Sequence, residues 1–426
     1  MSTVSSEPAA HARQAGPMPT VTMIGGGQLA RMTHQAAIPL GQCLRVLAAS
    51  PADPAAMVSA DVVLGSHESI DDLRRAARGA TALTFDHEGV PLELLRTLEE
   101  EGVQVRPPSR ALHYAQDKLA MRQRLAELGL PVPAFADLAG PDRETARTRL
   151  GDFGDTHGWS VVLKAVRGGY DGRGVWLTDT REEALAVFDE YFGAGADLMV
   201  EQKVPMRREL SALVARSPFG QCAAWPVVET VQRNGQCAVV LAPAPGLAGP
   251  SAQQAQEMAL RLAAELGVVG VMAMELFETA GSEGADGRLV VNELAMRPHN
   301  SGHWTMDGAV TSQFEQHLRA VLDYPLGDTS PRAPVTVMAN ILGAEQAPRM
   351  SMDERLHHLC ARMPEAKVHL YGKGERPDRK IGHVNIVGTA DSTSADKGVE
   401  DVRERAERAA HWMSRAEWTD GWDPHS

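Results

Sequence analysis

The sequence predicts a multidomain protein that begins as an α/β unit and continues as α+β, and three observations lead to this class. The chain has 426 residues, more than a single hydrophobic core usually serves. Strand-like and helix-like stretches alternate from Val21 to Val105, which is typical of βαβ units with a parallel sheet. From about Asp117 to about Asp328 the apolar strands lie closer together and helices are fewer, which favours antiparallel pairing.

The N-terminal unit follows this alternation in order. We predict a strand over Val21–Ile24, a glycine turn, an amphipathic helix over about Gln28–Leu40 and a strand over about Leu44–Ala48. Further strand, helix and strand patterns follow. Pro107-Pro108 then closes the unit, and Ser109–Arg124 begins a helical linker.

The second unit is recognised by its six apolar strand candidates. These are Ser160–Leu163, Asp197–Glu201, Ser211–Arg216, Ala223–Val228, Gly270–Glu278 and Leu289–Glu293. A smaller third unit has strand candidates at Val335–Ile341 and Val368–Leu370 and a charged amphipathic helix over Val399–Met413.

Domain boundaries follow from these three units. We place the domains at 20–115, 116–330 and 331–415, between a disordered tail over 1–19 and a second tail over 416–426.

Composition excludes several classes of protein. With 42 basic and 55 acidic residues the net charge is −13, so we expect no nucleic-acid partner. No apolar run approaches the roughly 20 residues that span a bilayer, and residues 1–19 contain no signal-peptide core, so we expect no membrane partner and a cytoplasmic location. The four cysteines have no CxxC or CxxH spacing and fit reduced thiols better than disulfides or zinc ligands.

The first motif is a glycine turn between a strand and a helix, Gly25-Gly26-Gly27-Gln28-Leu29-Ala30. It fits the G-x-G-x-x-A dinucleotide fingerprint, but the next strand ends in Ala48-Ala49-Ser50, with no carboxylate for a ribose hydroxyl. A phosphate-bearing group at this helix N-terminus is therefore favoured over nicotinamide binding, and a purely structural turn remains an alternative.

A second glycine-rich loop, GGYDGRG, follows an apolar strand that ends in Lys164. A hairpin-like fold-back could place the ammonium group and the loop N–H groups over one polyanion, although the loop does not match the Walker motif. The alternative is a surface hairpin, and Asp171 and Arg173 argue against it because a simple turn needs neither residue.

Acidic residues end or interrupt several apolar strands. Glu201 and Glu209 could take ribose hydroxyls beside an edge strand that hydrogen-bonds an adenine, or they could be structural. Glu275 lies within one apolar strand, and Glu293 ends another, next to Asn292. Two carboxylates in apolar strands are costly unless a cation satisfies them, and hard oxygen ligands suit Mg²⁺ on nucleotide phosphates.

Two polar segments complete the candidate site. Arg297 begins RPHNSGHW, which we interpret as a substrate-facing loop rather than a zinc site, because His299 and His303 lie in a loop without an HExxH motif. The run ERPDRKIGH places Arg376, Arg379 and Lys380 together, either as an anion site or as a solvated charge run.

The order of these motifs resembles the ATP-grasp family, and within it the N5-carboxyaminoimidazole ribonucleotide synthases. The motifs are GGGQLARM, FDHEGVP, QDKLAMR, VVLKAVRGGYDGRG, VEQKVPMRREL, GVMAMELFE, NELAMRPHNSGHWTMDGAVTSQFEQHLRA and RPDRKIGHVNI, and the similarity runs from about Val21 to Gly388.

The resemblance implies an ATP-grasp fold with its nucleotide between two α+β lobes, an N-terminal Rossmann-like βαβ domain of the biotin-carboxylase N type and a small C-terminal domain. It also implies a purine-biosynthetic ligase, with Mg²⁺, in which ATP phosphorylates bicarbonate and the carboxyphosphate carboxylates aminoimidazole ribonucleotide. A homodimer is expected from the same resemblance.

Site residues carried over from the family fall into four groups. The ATP-binding group is Lys118, Lys164, Gly169, Tyr170, Asp171, Gly172, Arg173, Gly174, Glu201, Gln202, Glu209, Gln232, Asn292 and Glu293. The substrate-binding group is Gln28, Asp86, Glu88, Asn300, Arg376, Arg379 and Lys380. The catalytic group is Asp171, Arg173, Arg297 and Lys380, and the metal ligands are Glu275 and Glu293.

Three departures from the family pattern stand out. Gln232 replaces a common His, FDHEG replaces acid-x-Glu-His, and Met296 replaces a common Pro. The alternatives are another ATP-grasp ligase, such as a formate-dependent glycinamide ribotide transformylase or a biotin carboxylase, and a non-catalytic nucleotide sensor. The intact acidic pair argues against the sensor.

Overall fold

A computed structural model of the chain describes residues 18–139, 142–169, 173–280, 287–389 and 395–422. Residues 1–17 of the predicted tail over 1–19, and the predicted site residues Tyr170, Asp171 and Gly172, lie outside the described residues. Within the described part of the chain, no helix combines the length and the apolar character that crossing a membrane requires.

The N-terminal unit is a four-stranded parallel sheet in the order β3-β2-β1-β4, as the alternation predicted. Its strands are β1 Val21–Ile24, β2 Leu44–Ala48, β3 Asp61–Leu64 and β4 Ala82–Phe85, and its helices are α1 Gln28–Ala37, α2 Ile70–Ala77 and α3 Leu92–Glu100. Strands β1 and β4 are buried along their whole length, as expected for parallel strands covered on both faces.

The helical linker consists of two helices, α4 Ser109–Gln116 and α5 Lys118–Glu127. The break falls at Asp117, whose extended backbone and side chain start α5: its Oδ1 accepts the N–H of Ala120 at 2.8 Å. This N-cap fixes where Lys118 lies, at the first position of the second helix.

A small antiparallel sheet in the order β5-β8-β6-β7 forms the first lobe of the second unit. Its strands are β5 Phe135–Asp137, β6 Val161–Ala165, β7 Val175–Thr178 and β8 Leu198–Gln202, and its helices are α6 Arg143–His157 and α7 Arg181–Gly193. Strand β8 lies between β5 and β6, so the prediction of an edge strand ending in Glu201 is wrong.

A nine-stranded sheet forms the rest of the molecule, with the path β14-β13-β9-β11-β12-β15-β17-β16 and β10 paired to β9. Its strands are β9 Met206–Arg216, β10 Cys222–Ala224, β11 Val228–Arg233, β12 Gln236–Ala242, β13 Gly270–Thr279, β14 Leu289–Ala295, β15 Thr336–Leu342, β16 Lys367–Leu370 and β17 Lys380–Val387. Its helical segments are α8 Gly249–Glu265, a 3₁₀ turn Asn300–Gly302, α9 Thr305–Gly308, α10 Gln313–Val321, α11 Met352–Arg362 and α12 Ala395–Arg415.

This sheet crosses the boundary that we placed between residues 330 and 331. Strand β12 pairs antiparallel with β15, with Val239 opposite Ala339, so the C-terminal strands extend the sheet of the second unit. Strands β12 and β17, which lie outside the predicted strands, join the second unit to the C-terminal unit by pairing with β15.

The predicted C-terminal tail is packed in its described part, residues 416–422. Trp418 is buried and stacks on Trp412 of α12, with ring centroids 4.5 Å apart and an angle of 11° between the rings. The guanidinium of Arg362 lies 4.2 Å from the centroid of Trp418 and also binds Asp420 at 2.6 Å. The segment therefore closes the C-terminal core instead of extending into solvent.

Replacing Trp418 by Ala should lower the free energy of unfolding by about 3 kcal/mol, because it removes a buried ring and its cation–π partner. Chemical denaturation measures this loss. Glu417→Ala, a change at the exposed neighbouring position, is the control and should change stability by less than about 0.5 kcal/mol. Equal stability of the two variants would contradict the packed arrangement.

Candidate active site

The candidate site lies where the small sheet and the large sheet face each other across helix α5. Strand β6 contributes Lys164, strands β13 and β14 contribute Glu275 and Glu293, and α5 contributes Lys118. These residues are far apart in sequence, and the paired sheets bring them together.

The acidic pair forms on adjacent antiparallel strands. Glu275 is opposite Glu293 in the register of β13 and β14, so both side chains lie on the same face, and a bulge follows Glu275. Burial, and then the charges of Glu293 and Glu209, raise the pKa of Glu275 to about 8. The Glu275 side chain keeps 27% of its accessible surface, so the pair is enclosed but reachable by a ligand.

The donor set fits a hard divalent cation. Burial first, and then the facing Glu293 carboxylate, raise the pKa of Glu275, and Lys118 Nζ, 2.5 Å from Glu293 Oε1, is bonded to only one member of the pair. Within the described residues no group of three or more His, Cys, Asp or Glu side chains could hold a metal, so the pair would need oxygen ligands from a bound molecule.

Lys164 belongs to a buried ion network that corrects the assignment of Glu201. Oε2 of Glu201 lies 2.7 Å from Lys164 Nζ, and its Oε1 lies 2.7 Å from Arg122 Nε. Burial opposes ionisation of Glu201, but Arg122 and Lys164 outweigh it and hold the pKa of Glu201 below its ordinary value. Both oxygens of a carboxylate that is 2% exposed are therefore engaged, and Glu201 is not available for a ribose hydroxyl.

Glu209 and Gln232 lie together on the neighbouring strands β9 and β11. Gln232 Nε2 donates to Glu209 Oε2 at 2.8 Å, and burial raises the pKa of Glu209. Unlike Glu201, Glu209 has no cation bonded to it among the described side chains, so it keeps acceptor capacity for a ligand hydroxyl. The amide of Gln232, at a position where the family commonly has His, supports this carboxylate.

Asn292 connects the two sheets. Its Oδ1 lies 3.4 Å from Lys164 Nζ, and its carbonyl accepts from Arg122 Nη2 at 2.9 Å. The residue next to the metal-ligand candidate Glu293 therefore contacts the lysine of the small sheet.

His299, predicted only as part of a substrate-facing loop, lies beside Glu275 of the acidic pair. Its Nδ1 accepts from the Ser301 N–H at 3.4 Å, so the neutral ring carries its proton on Nε2, which lies 3.3 Å from Glu275 Oε1. Burial, with the charges of Arg297 and Lys380, lowers the pKa of His299 to about 3. The signal for this residue was its polar RPHNSGHW context directly after a buried strand.

The side-chain amide of Gln313 connects the two histidines of that loop. His303 Nδ1 lies 2.9 Å from Gln313 Nε2, and the same amide group donates to the carbonyl of His299 at 2.8 Å.

The glycine turn before α1 binds a carboxylate of the chain itself. Asp86 accepts from the N–H of Gly27 at 2.5 Å and from the N–H of Ala30 at 3.1 Å, so it caps the helix N-terminus. Asp86 therefore occupies two N–H donors that we had predicted to bind a phosphate-bearing group. For these two N–H groups the prediction of a phosphate site is wrong. Gln28, the first residue of the helix, accepts from Lys373 Nζ.

The remaining predicted substrate-binding residues lie partly around the loop that begins at Arg297 and partly in the charge run from Arg376 to Lys380. Arg297 Nε binds Glu88 Oε2 at 2.7 Å, and Asn300 exchanges amide hydrogen bonds with Asn340 at 3.0 and 2.8 Å. Arg376 is exposed, and Arg379 Nη1 donates to the carbonyl of Gly374 at 3.2 Å.

The charge of Lys380, a member of the charge run, acts on Glu275 of the acidic pair. Lys380 begins β17, and its positive charge opposes the rise in the pKa of Glu275 and contributes to lowering the pKa of His299. The run is therefore not a uniformly solvated surface.

The described part of the glycine-rich loop is closely packed. The backbone of Gly169 lies so near Arg173 that a Cβ at residue 169 would meet the Arg173 carbonyl oxygen at 2.6 Å. Gly174 has a φ of +71°, and its carbonyl accepts from the N–H of Ala165 at 2.8 Å. The glycines at these two positions are therefore required by the backbone that follows Lys164.

Comparison with known proteins identifies the class. Residues 18–116 match the ribonucleotide synthetase preATP-grasp domain, residues 123–314 the ATP-grasp domain, and residues 336–397 the phosphoribosylaminoimidazole carboxylase C-terminal domain. The chain is an ATP-grasp enzyme, and the ATP-grasp fold predicted from its motifs is confirmed.

Individual relatives narrow the class further. The N5-carboxyaminoimidazole ribonucleotide synthase of Mycobacterium leprae is 62% identical over 96% of this chain and 92% of its own. A crystal structure of the Thermus thermophilus synthetase has a TM-score of 0.78 at 36% identity, covering 95% of this chain and 100% of its own. An Aspergillus clavatus synthase in complex with ADP and 5-aminoimidazole ribonucleotide has a TM-score of 0.78 at 28% identity, covering 92% and 99%. The chain belongs to the N5-carboxyaminoimidazole ribonucleotide synthase family.

Proposed function

We propose that this chain uses ATP to carboxylate the amino group of 5-aminoimidazole ribonucleotide with bicarbonate, and releases N5-carboxyaminoimidazole ribonucleotide, ADP and phosphate. The observation that carries the proposal is the meeting of the carboxylate pair Glu275 and Glu293 with Lys118 and Lys164 between two sheets. Lysines can bind the phosphates of a nucleoside triphosphate, and a pair of carboxylates can hold its metal ion. Family membership supports this substrate.

ATP would lie between the small and the large sheet. Lys118 and Lys164 would bind its phosphates together with Arg173, Gly169 and Gly174 of the loop that follows β6. Glu209 would accept a ribose hydroxyl, supported by Gln232, and Asn292 would contact the phosphates beside Lys164. Gln202 would line the adenine side. Glu201 would act indirectly, by holding Lys164.

Mg²⁺ is the cation that we propose for the acidic pair. Glu275 and Glu293 would hold it, and when bound it would neutralise both carboxylates and nucleotide phosphate oxygens. His299 donates from Nε2 toward Glu275 and so orients that carboxylate.

Bicarbonate and the ribotide would lie on the side of the cleft formed by the N-terminal unit and β17. A bicarbonate oxygen attacks the γ-phosphorus and ADP leaves; the amine then attacks the carbonyl carbon of carboxyphosphate and phosphate leaves. Arg297 and Lys380 would stabilise the anionic intermediates. Although burial works against its charge, Glu88 raises the pKa of Arg297, so the guanidinium stays charged.

Binding of the ribotide is proposed for the residues that resemblance assigned to it. They are Gln28, Asp86, Glu88, Asn300, Arg376, Arg379 and Lys380. Asp86 would serve mainly by fixing the N-terminus of α1, since both its oxygens accept backbone N–H groups. Asp171 is proposed to orient the amine or accept its proton. We also propose that the protein is a homodimer and that it is located in the cytoplasm. Analytical ultracentrifugation measures the oligomeric state.

ADP release measured with and without the ribotide and bicarbonate tests this function. We expect release to depend on both compounds, with one N5-carboxyaminoimidazole ribonucleotide formed for each ADP. Dependence on formate or biotin instead would assign the chain to another ATP-grasp ligase, and tight ATP binding without turnover would make it a sensor.

Glu209→Gln should raise the KM for ATP about tenfold with little change in kcat, because a neutral amide replaces a charged acceptor of the ribose hydroxyl. Steady-state kinetics at saturating ribotide measures both constants. Glu257→Gln, on the surface of α8, is the control. A loss confined to kcat would exclude Glu209 from ground-state nucleotide binding.

A further inference from the structure

We propose that Arg122 is a positioning residue that keeps Lys164 of the small sheet aligned with the carboxylate strand β14 of the large sheet. Arg122 touches none of the proposed ligand-binding oxygens and would act through Glu201 and the backbone of β14. The inference rests on the proposed nucleotide site, and it extends that site to a residue outside every assigned group.

The contacts of Arg122 join two sheets. Its Nε donates to Glu201 Oε1 at 2.7 Å, which lies on β8 of the small sheet. Its Nη1 donates to the carbonyl of Val291 at 2.8 Å and its Nη2 to the carbonyl of Asn292 at 2.9 Å, both on β14 of the large sheet. The side chain is fully buried. One guanidinium thus fixes the separation between the two sheets at the level of Glu293.

The network reaches Lys164 in one further step. Glu201 uses its second oxygen for Lys164 Nζ at 2.7 Å, and the same ammonium lies 3.4 Å from Asn292 Oδ1. Arg122 and Lys164 therefore share both partners, because each binds Glu201 and each contacts Asn292. A shift of Arg122 would move both partners of the ammonium group.

The charge balance of the network also affects how strongly Lys164 attracts a phosphate. Two basic side chains share one carboxylate, so this buried group has one more basic side chain than acidic ones. Burial lowers the pKa of Lys164, and a bound phosphate would favour its charged form. Because Arg122 already compensates Glu201, the ammonium of Lys164 remains attractive to an additional anion. Without Arg122, Lys164 and Glu201 would form a neutral pair with less attraction for a phosphate.

The geometry requires arginine at residue 122. Three acceptors lie around one planar guanidinium, whereas a lysine ammonium at the end of a flexible chain reaches fewer of them in fixed directions. Lys118 lies four residues earlier on α5 and binds Glu293, so the same face of the helix serves both the metal-ligand strand and the lysine of the small sheet.

Arg122→Lys tests the proposal through binding rather than turnover. We expect affinity for the β,γ-imido analogue of ATP with Mg²⁺ to fall at least tenfold and affinity for adenosine to stay within twofold, both measured by titration calorimetry. Arg355→Lys is the matched control, because Arg355 is equally buried and also bonds backbone carbonyls and one glutamate, but in the C-terminal core. It should change neither affinity.

A variant that fails to fold is replaced by a second one. Arg122→Gln keeps a donor for the carbonyls of β14 and leaves Glu201 paired with Lys164, so no buried charge is left without a partner. It should fold and show the same selective loss toward the triphosphate.

Two results would overturn the proposal: unchanged triphosphate affinity in a folded Arg122 variant, or equal losses for triphosphate and adenosine. If the unmodified enzyme binds ATP but releases no ADP in response to the ribotide, the proposed function fails while the affinity difference still decides the role of Arg122.

Discussion

Glu275→Gln is expected to lower ribotide-dependent ADP release by about 10²–10³-fold and, at the same time, to stabilise the metal-free protein at pH 8. The loss of activity follows from removing one of two carboxylates that would hold Mg²⁺. The gain in stability follows from removing a carboxylate whose ionised form is disfavoured, first by its burial and then by the charge of Glu293 on the opposite strand. A stabilised but inactive variant is an unusual combination, and it distinguishes a functional acidic pair from a structural one.

The pH dependence of this effect has a defined sign. The pKa of Glu275 is raised from 4.5 to about 8, so the folded protein holds a proton that the unfolded chain releases between these values. The stability contribution of Glu275 is therefore present at low pH and is lost as the pH rises from about 4.5 to about 8. At pH 8 the Gln variant should be more stable by on the order of 1 kcal/mol in the absence of metal.

Chemical denaturation at pH 5 and pH 8, with and without Mg²⁺ and ADP, measures the prediction. Mg²⁺ with ADP should stabilise the unmodified protein more than the variant. Glu278→Gln is a control on the same strand: Glu278 binds Arg208 Nε at 2.5 Å, so its replacement should destabilise the protein. If Glu275→Gln destabilises the metal-free protein as Glu278→Gln does, the pair is not under electrostatic repulsion.

The second large effect is a loss of stability in mild acid caused by buried neutral histidines. His317 accepts the N–H of Val271 at 3.1 Å through Nδ1, which leaves Nε2–H to donate to Thr84 Oγ1 at 2.7 Å. Burial lowers its pKa to about 3. Burial likewise lowers the pKa values of His303 and His383 well below 6.5.

The unfolded chain binds protons at these histidines near pH 6.5, while the folded protein excludes them. The contribution of His317 to stability is therefore present above about pH 6.5 and is lost as the pH falls toward 3. Between pH 6.5 and pH 5 this group should cost about 2 kcal/mol. His303 and His383, whose pKa values are also lowered, add to the same acid transition. Proton binding to His383 is especially unfavourable, since its Nε2 has no hydrogen-bond partner within the described residues.

His317→Gln is designed to remove one proton from this transition. The Gln oxygen can accept from Val271 and its amide nitrogen can donate to Thr84, so the loss at pH 7.5 should be small. The slope of unfolding free energy against pH, from denaturation curves between pH 5 and pH 7, should fall by about 1.4 kcal/mol per pH unit. An unchanged slope would mean that His317 titrates normally. His157→Gln, at the exposed end of α6, serves as the control.

Local patterns predicted much of this molecule. The βαβ unit, the loop after Lys164 and the acidic strands at Glu275 and Glu293 follow from periodicity of 2 or 3.6 residues, glycine placement and the cost of burying charge. The lysines and the acidic strands are far apart in sequence, and the resemblance of the motif order to a family joined them into one predicted site. Comparison with relatives confirms the family.

Other assignments failed because the deciding partner is distant in sequence. Glu201 has the pattern of a ligand-binding acid at a strand end, but Arg122 and Lys164 engage it, and β8 became an inner strand by pairing with β5. The glycine turn before α1 has the pattern of a phosphate site, but Asp86, almost 60 residues later, supplies the anion. The segment after residue 415 has the composition of a tail, but its Trp418 stacks on Trp412.

The sequence by itself determined the family, through the order of its motifs, and most of the elements, because strand and helix periodicity are local properties. Only the tertiary structure decided which charges remain available to a ligand. That choice depends on which opposite charge or backbone group lies within about 3 Å, and Coulomb and hydrogen-bond energies fall steeply with distance in space, not with separation along the chain. Glu209 and Glu201 illustrate the difference: both are acids near apolar strands, and one meets an amide while the other meets two cations.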